Sequence, residues 1–161
     1  VLPLPVKPDN TSEFQRMRSF FRKGGVGPQS EQQADGGLNG PATILIVDDS
    51  PTETHVLKGI VENGGYLVIT AANGESGIEE AKQSRPDLIL MDVVMPGLNG
   101  FQATRQLSRS PETAEIPIIM VTTKGQETDR AWGLRQGARE YVVKPVAAAD
   151  LLSKIRAVLQ A

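Results

Sequence analysis

From Thr43 onward, short apolar runs alternate with stretches of helical periodicity. The runs are ILIV (44–47), YLVI (66–69), LILM (88–91), IPIIMV (116–121) and YVV (141–143). Each has the length of a strand and ends in turn-forming or polar residues. Between them, Val56, Leu57, Ile60 and Val61 make one helical face, and Leu151, Leu152, Ile155, Val158 and Leu159 make another. Further helices are expected at about 74–84, 98–109 and 126–136. Five β–α units in succession imply a doubly wound α/β fold, a parallel sheet with helices on both faces. Right-handed crossovers leave few ways to connect it. The first helix has the best-specified start: Ser50 at the N-cap, Pro51 at N1 and Glu53 at N3 form a capping box. The preceding turn therefore begins at Asp48 and Asp49, directly off the end of the first strand.

In an open α/β sheet, ligands bind in the crevice beyond the carboxyl ends of the strands. There the first strand presents Asp48–Asp49, the third Asp92, the fourth Thr122–Thr123 and the fifth Lys144–Pro145. The second ends in the small residues Thr70 to Ala72, as suits a strand at the margin of a site. Three carboxylates in one crevice cannot all stay charged without compensation. A hard divalent cation resolves this, and Mg²⁺ takes carboxylates together with waters and phosphate oxygens. Lys144 adds a further positive charge. Such a site suits phosphoryl transfer, where positioning and charge neutralisation do most of the catalysis, with Asp92 able to serve as a nucleophile. Singly, an Asp after a strand is more often a cap or turn former, and a lone Thr or Lys has no chemistry. Their joint placement carries the inference.

Composition alters the picture at the N-terminal end. Residues 1–41 contain LPLPVKP, GGVG and DGGLNGP, too rich in Pro and Gly to build a core, and read as a flexible leader. Within it, residues 12–23 fit a short basic amphipathic helix, with Phe14, Met17 and Phe21 on one side and Arg16, Arg18, Arg22 and Lys23 around them. It would dock on a partner or an anionic membrane surface, or fold weakly if at all, since isolated helices this short are marginal. The leader carries five basic and four acidic residues, leaving 12 basic and 15 acidic in residues 42–161. That acidic balance argues against nonspecific nucleic-acid binding. The 161 residues, 39% hydrophobic, include no cysteine, which excludes disulfides and thiolate metal sites. No apolar run reaches the ~18 residues of a membrane span, and a cytoplasmic location is expected.

The runs ILIVDDS, LILMDVVMPGLNG, IIMVTT and YVVKPV resemble the receiver domain of bacterial two-component response regulators, in order and spacing, over residues 42–161. The resemblance implies a flavodoxin-like (βα)5 fold with strand order 2-1-3-4-5. It makes Asp92 the phosphoacceptor for a histidine kinase. Mg²⁺ would be held by Asp49, Asp92 and the main-chain carbonyl of Val94, with Asp48 acting mainly through water. Lys144 would pair with Asp92 and then with the phosphoryl group. Thr122 and the main chain of Thr123 would meet the phosphate, Tyr141 would turn inward as the switch aromatic, and the Lys144–Pro145 bond would be cis. DDSPTE, MDVVMPGLNGFQATRQL and VTTKGQETDRAWGLRQGARE are similar to stand-alone receivers of the chemosensory system that controls type IV pilus twitching motility. Ala147, opening the last helix, departs from the Ser, Asp or Asn common there.

Only 17 residues follow Lys144, enough for one helix, so no DNA-binding domain is expected and output would be by contact. The expected surface is the fourth helix, fifth strand and fifth helix, meeting an output protein that the sequence does not name. Such a chain is a phosphoacceptor, with Mg²⁺-dependent self-phosphorylation and autodephosphorylation only. It would also serve as a phosphate sink for a shared kinase. An aspartyl-phosphate phosphatase would want an acid two residues after the nucleophile, where Val94 stands. A constitutive adaptor would not need the full acid, Thr and Lys set. His55, the sole histidine, reads as a surface residue, and Trp132 as either an exposed contact or the edge of the core. Gly133 weakens the fourth helix, and Asp87 reads as a turn residue.

Overall fold

A computed structural model of the protein describes residues 40–161. Residues 1–39 of the proposed leader, with its helix at 12–23, lie outside the described residues. Five strands, β1 (Thr43–Val47), β2 (Leu67–Ala71), β3 (Leu88–Met91), β4 (Ile118–Thr122) and β5 (Glu140–Val143), form one parallel sheet in the order β2-β1-β3-β4-β5. They alternate with α1 (Pro51–Asn63), α2 (Gly74–Ser84), α3 (Gly100–Arg109), α4 (Glu127–Gln136) and α5 (Ala148–Gln160). This is the expected doubly wound arrangement.

Helices α1 and α5 pack together, while α2 meets α3 and α3 meets α4, so the sheet is covered on both faces. Because side chains alternate along a strand, each strand feeds two cores. Ile44, Ile46, Leu88, Leu90, Ile119 and Val121 pack with Leu57 and Val61 of α1 and Leu151 and Ile155 of α5. On the other face, α2 approaches so closely that a side chain at Gly77 would strike Val47. The expected face of α1 is narrower than its apolar residues suggest: Leu57 and Val61 are buried, Ile60 is half-buried, and Val56 is exposed. Val56 lies one step of about 100° from Leu57, which turns it off the seam.

Polar contacts at the ends set the register. Asp87 is more than a turn residue, since its carboxylate accepts the Thr43 N–H at 2.7 Å while its own N–H donates to Thr43 O, fastening β1 to the entrance of β3. Helix α3 starts two residues later than the periodicity suggested. Asn99 and Gln102 form a complete capping box, each side chain accepting the other's backbone N–H at 2.9 Å. Ala147 caps α5 without a side-chain bond.

The start of α3 lies against the end of β3. The Gly100 N–H donates to Val93 O at 2.9 Å, and a Cβ there would overlap the Asp92 carbonyl and sit 2.7 Å from Val93 Cα. Gly100→Ala must therefore push main chain away from main chain. We expect it to cost about 1–3 kcal/mol in urea unfolding; an unchanged midpoint would show that this junction yields freely.

Candidate functional site

The sheet ladder gathers the polar residues before any side-chain preference acts. Val47 pairs with Met91, so the next residues along, Asp48 and Asp92, emerge side by side. Their backbones continue the ladder, with Asp92 N–H to Val47 O at 2.9 Å and Asp48 N–H to Ala71 O at 3.1 Å. Thr122 ends β4 opposite Val143, and the Lys144 N–H donates to Thr122 O at 2.8 Å. Beyond it the Lys144–Pro145 peptide is cis.

Carboxylate oxygens of Asp48, Asp49 and Asp92 lie within 4.8 Å of one another. Asp48 and Asp92 are buried and Asp49 is exposed. The Lys144 ammonium lies among them, 2.9 Å from Asp48 Oδ2, 3.7 Å from Glu53 Oε1 and 4.0 Å from Asp92 Oδ1. Its tightest partner is thus Asp48, with Asp92, the pairing that the resemblance implied, farther off. The geometry explains this. Asp92 Oδ1 already accepts the Val93 N–H at 2.8 Å, and the Val94 N–H also bonds this carboxylate.

Burial is the main force on Asp92, followed by the charge of Asp48; together they outweigh Lys144 and the two backbone donors and raise its pKa to about 6. Lys144 is pulled the other way by its own burial, yet the Asp48 hydrogen bond and the charges of Asp92, Asp48 and Glu53 prevail and raise its pKa. The ammonium stays charged. One cation among so many acids leaves a surplus of negative charge on oxygen ligands, which fits a hard divalent ion such as Mg²⁺. Val94, whose carbonyl was expected to join them, is 56% exposed at the rim.

On the far side, Thr122 is fully buried, and its Oγ1 accepts the Lys124 N–H at 3.2 Å. Thr123 is exposed. Tyr141 is turned inward, and its hydroxyl donates to Lys124 O at 2.7 Å. Burial first, then the charge of Asp129, pushes this phenol up to about 12, so it remains a donor. Its ring fits beside Gly133 of α4, where a Cβ would come within 2.8 Å of Met120 Sδ and 3.0 Å of the ring. Trp132 next to it is 46% exposed, with the Arg135 guanidinium 5.9 Å from its ring centre.

Two features escaped the sequence. Half of the expected capping box on α1 is absent. Ser50 Oγ does accept the Glu53 N–H at 3.3 Å, but the Ser50 N–H goes to Asp48 Oδ1 at 2.9 Å, and Glu53 turns to Lys144. His55 is on the surface as expected, where it helps line an open groove of about 520 Å³ with Asp48, Asp49, Lys58 and Thr70.

A family model for the response regulator receiver domain matches residues 44–156. The chain belongs to the receiver family. This receiver is 59% identical to protein PilH of Pseudomonas aeruginosa over 118 residues, covering 73% of the chain and 98% of PilH. It is 42% identical to the transcriptional regulatory protein AfsQ1 of Streptomyces coelicolor over 120 residues, 74% of the chain but only 52% of AfsQ1. The chain thus spans about half of that transcriptional regulatory protein. Among solved structures, chemotaxis protein CheY4 of Vibrio cholerae is similar with a TM-score of 0.69 at 31% identity, over 73% of this chain and 98% of its own. The receiver domain of a Pseudomonas aeruginosa sensor histidine kinase, with a magnesium ion coordinated in its active-site cleft, has a TM-score of 0.70 at 30% identity, over 75% and 99%. Receivers are phosphoacceptors served by histidine kinases and bind Mg²⁺ at an acidic pocket, and a cluster of Asp48, Asp49 and Asp92 is present here. No helix among the described residues is long and apolar enough to cross a membrane.

The raised pKa of Asp92 has a stability consequence in metal-free protein. Below about pH 4 the carboxyl is protonated whether the chain is folded or not. Between there and about 6 only the folded chain keeps the proton, so stability falls as pH rises and the loss is complete above 6. Asp92→Asn, melted in chelator, should gain on the order of 2 kcal/mol over wild type at pH 8 and much less near pH 4. Equal gains at both pH values would remove burial of this charge as the cause.

Proposed function

We propose that this receiver accepts a phosphoryl group on Asp92 from a phosphohistidine of a cytoplasmic histidine kinase and signals by phosphorylation-dependent contact. The observation that carries this reading is the Lys144 ammonium within 4.0 Å of both Asp48 and Asp92, with Asp49 completing the acid cluster. An Asp92 oxygen forms the new P–O bond while the P–N bond breaks and its electron pair returns to the imidazole. Asp48, Asp49, Asp92 and the Val94 carbonyl would hold Mg²⁺, which keeps the acids ionised and offsets charge on the transferring group. Lys144 serves the same charge from the protein side. Thr122 would move toward the phosphate and donate its hydroxyl proton to one oxygen, beside the Thr123 N–H.

Readout follows from the links behind Thr122. Its hydroxyl accepts from Lys124, whose carbonyl holds the Tyr141 hydroxyl, so a shift of Thr122 loosens the seat of the ring. We assign output to the surface of α4, β5 and α5, where Trp132 and Val143 are exposed. Likeness to PilH and the runs shared with pilus chemosensory receivers support a place in twitching-motility control. The second residue after Asp92 is Val94, which supplies no acid for a phosphatase cycle.

Acetyl phosphate with Mg²⁺ should add one phosphoryl group to the wild type and none to Asp92→Asn, read by intact mass. An unlabelled wild type, or a labelled Asn variant, would sink the assignment. We place phosphoacceptance wholly within residues 42–161, so a chain lacking residues 1–41 should label to the same extent; lost labelling would overturn that boundary.

A further inference from the structure

We infer that Glu53 is a positioning residue for Lys144, holding the ammonium on the α1 side of the site and competing with the phosphoryl group for it. The inference rests on Asp92 being the phosphoacceptor. Three carboxylates share one ammonium: Asp48 at 2.9 Å, Glu53 at 3.7 Å and Asp92 at 4.0 Å. Asp48 and Asp92 belong to the acid cluster that fits a cation, so their charge is spoken for once one binds. Glu53 does not belong to it. Among the described residues it is the one acid paired with Lys144 whose full charge then remains directed at the ammonium.

The main chain explains why Glu53 points there. An N3 glutamate normally folds back onto the N-cap N–H. Here that N–H is taken by Asp48 Oδ1 at 2.9 Å, while Ser50 Oγ and Pro51 still fix the first turn of α1. Deprived of its usual partner, the Glu53 side chain extends along the turn to Lys144. The same Asp48 that binds the ammonium thus directs a second acid to it.

When a phosphoryl group arrives on Asp92, Lys144 gains a stronger anion on one side and keeps Glu53 on the other. Glu53 is 46% exposed at its side chain, so solvent screens its pull, and the bias it sets is modest. Glu53→Gln keeps the size and removes the charge. It should let Lys144 engage the phosphoryl group more fully, while leaving the melting temperature of the ligand-free protein nearly unchanged.

The test uses trifluoroberyllate with Mg²⁺ as a phosphoryl mimic, titrated against the full chain and followed by the fluorescence of Trp132. Glu53→Gln should bind it about threefold more tightly than wild type, the scale of a screened ion pair. Direct repulsion between Glu53 and the mimic would give the same sign, so the comparison is repeated in Lys144→Met. If Lys144 mediates the effect, the threefold difference vanishes there; if it persists, the inference is overturned. Should Lys144→Met not fold, Glu53→Asp decides. One methylene shorter, it keeps the charge and loses reach. Binding as tight as Glu53→Gln supports the positioning role, and wild-type binding refutes it. Tight binding by wild type with no effect of Glu53→Gln defeats this inference alone. No binding by wild type, matched by Asp92→Asn, defeats the phosphoacceptor reading and this inference with it.

Discussion

The ion pair between Lys144 and Asp48, 2.9 Å long and nearly dry at both ends, lets acids share the carboxyl edge of this sheet. A carboxylate buried without a partner would take up a proton or destabilise the fold. Asp92 shows how near that limit the site lies, because burial and Asp48 raise its pKa to about 6 even with Lys144 beside it. The arrangement is held at the margin of ionisation. A small change in local charge therefore has a large effect on what the carboxylate can do.

The scaffold fixes this balance through backbone geometry more than through side-chain choice. Parallel register delivers Asp48 beside Asp92, and the Lys144 N–H bonded to Thr122 O brings the ammonium in from two strands away. Asp48 and Asp92 follow directly on strands whose side chains are buried on both faces, and Thr122 ends a third such strand. Moving any one of them means breaking ladder hydrogen bonds or unpacking a core. Positions of the groups are thus as stable as the sheet itself, while Val94, Thr123 and Lys124, in the loops that follow, are exposed.

Most of the fold was legible because β–α alternation is written in the apolar runs, and the strand ends named the right neighbourhood for Asp48, Asp49, Asp92, Thr122 and Lys144. What escaped was partner choice. Glu53 at N3 has two acceptable uses, as half of a capping box or as a partner of a distant lysine, and the motif alone favours the first. Only the competing Asp48 carboxylate, which claims the Ser50 N–H, decides between them. Likewise Lys144 reaches Asp92 as expected, at 4.0 Å, but a second acid lies closer. Its nearer bond to Asp48 depends on two backbone N–H groups already occupying Asp92, and no residue pattern reports these. Val56 fails for a simpler reason, since an apolar residue one position off the seam looks the same in sequence as one on it.

The empty position at Gly133 ties two properties of the molecule to a single methyl group. With no side chain there, the Tyr141 ring can lie against α4; with no side chain there, α4 also loses helical propensity of about 1 kcal/mol relative to Ala. A mutation that firmed the helix would press on the ring and on Met120 Sδ of the neighbouring strand, and one of them would have to shift. The packing of these three positions is therefore coupled: room for a side chain at 133 must come from a shift or a smaller side chain at 120 or 141.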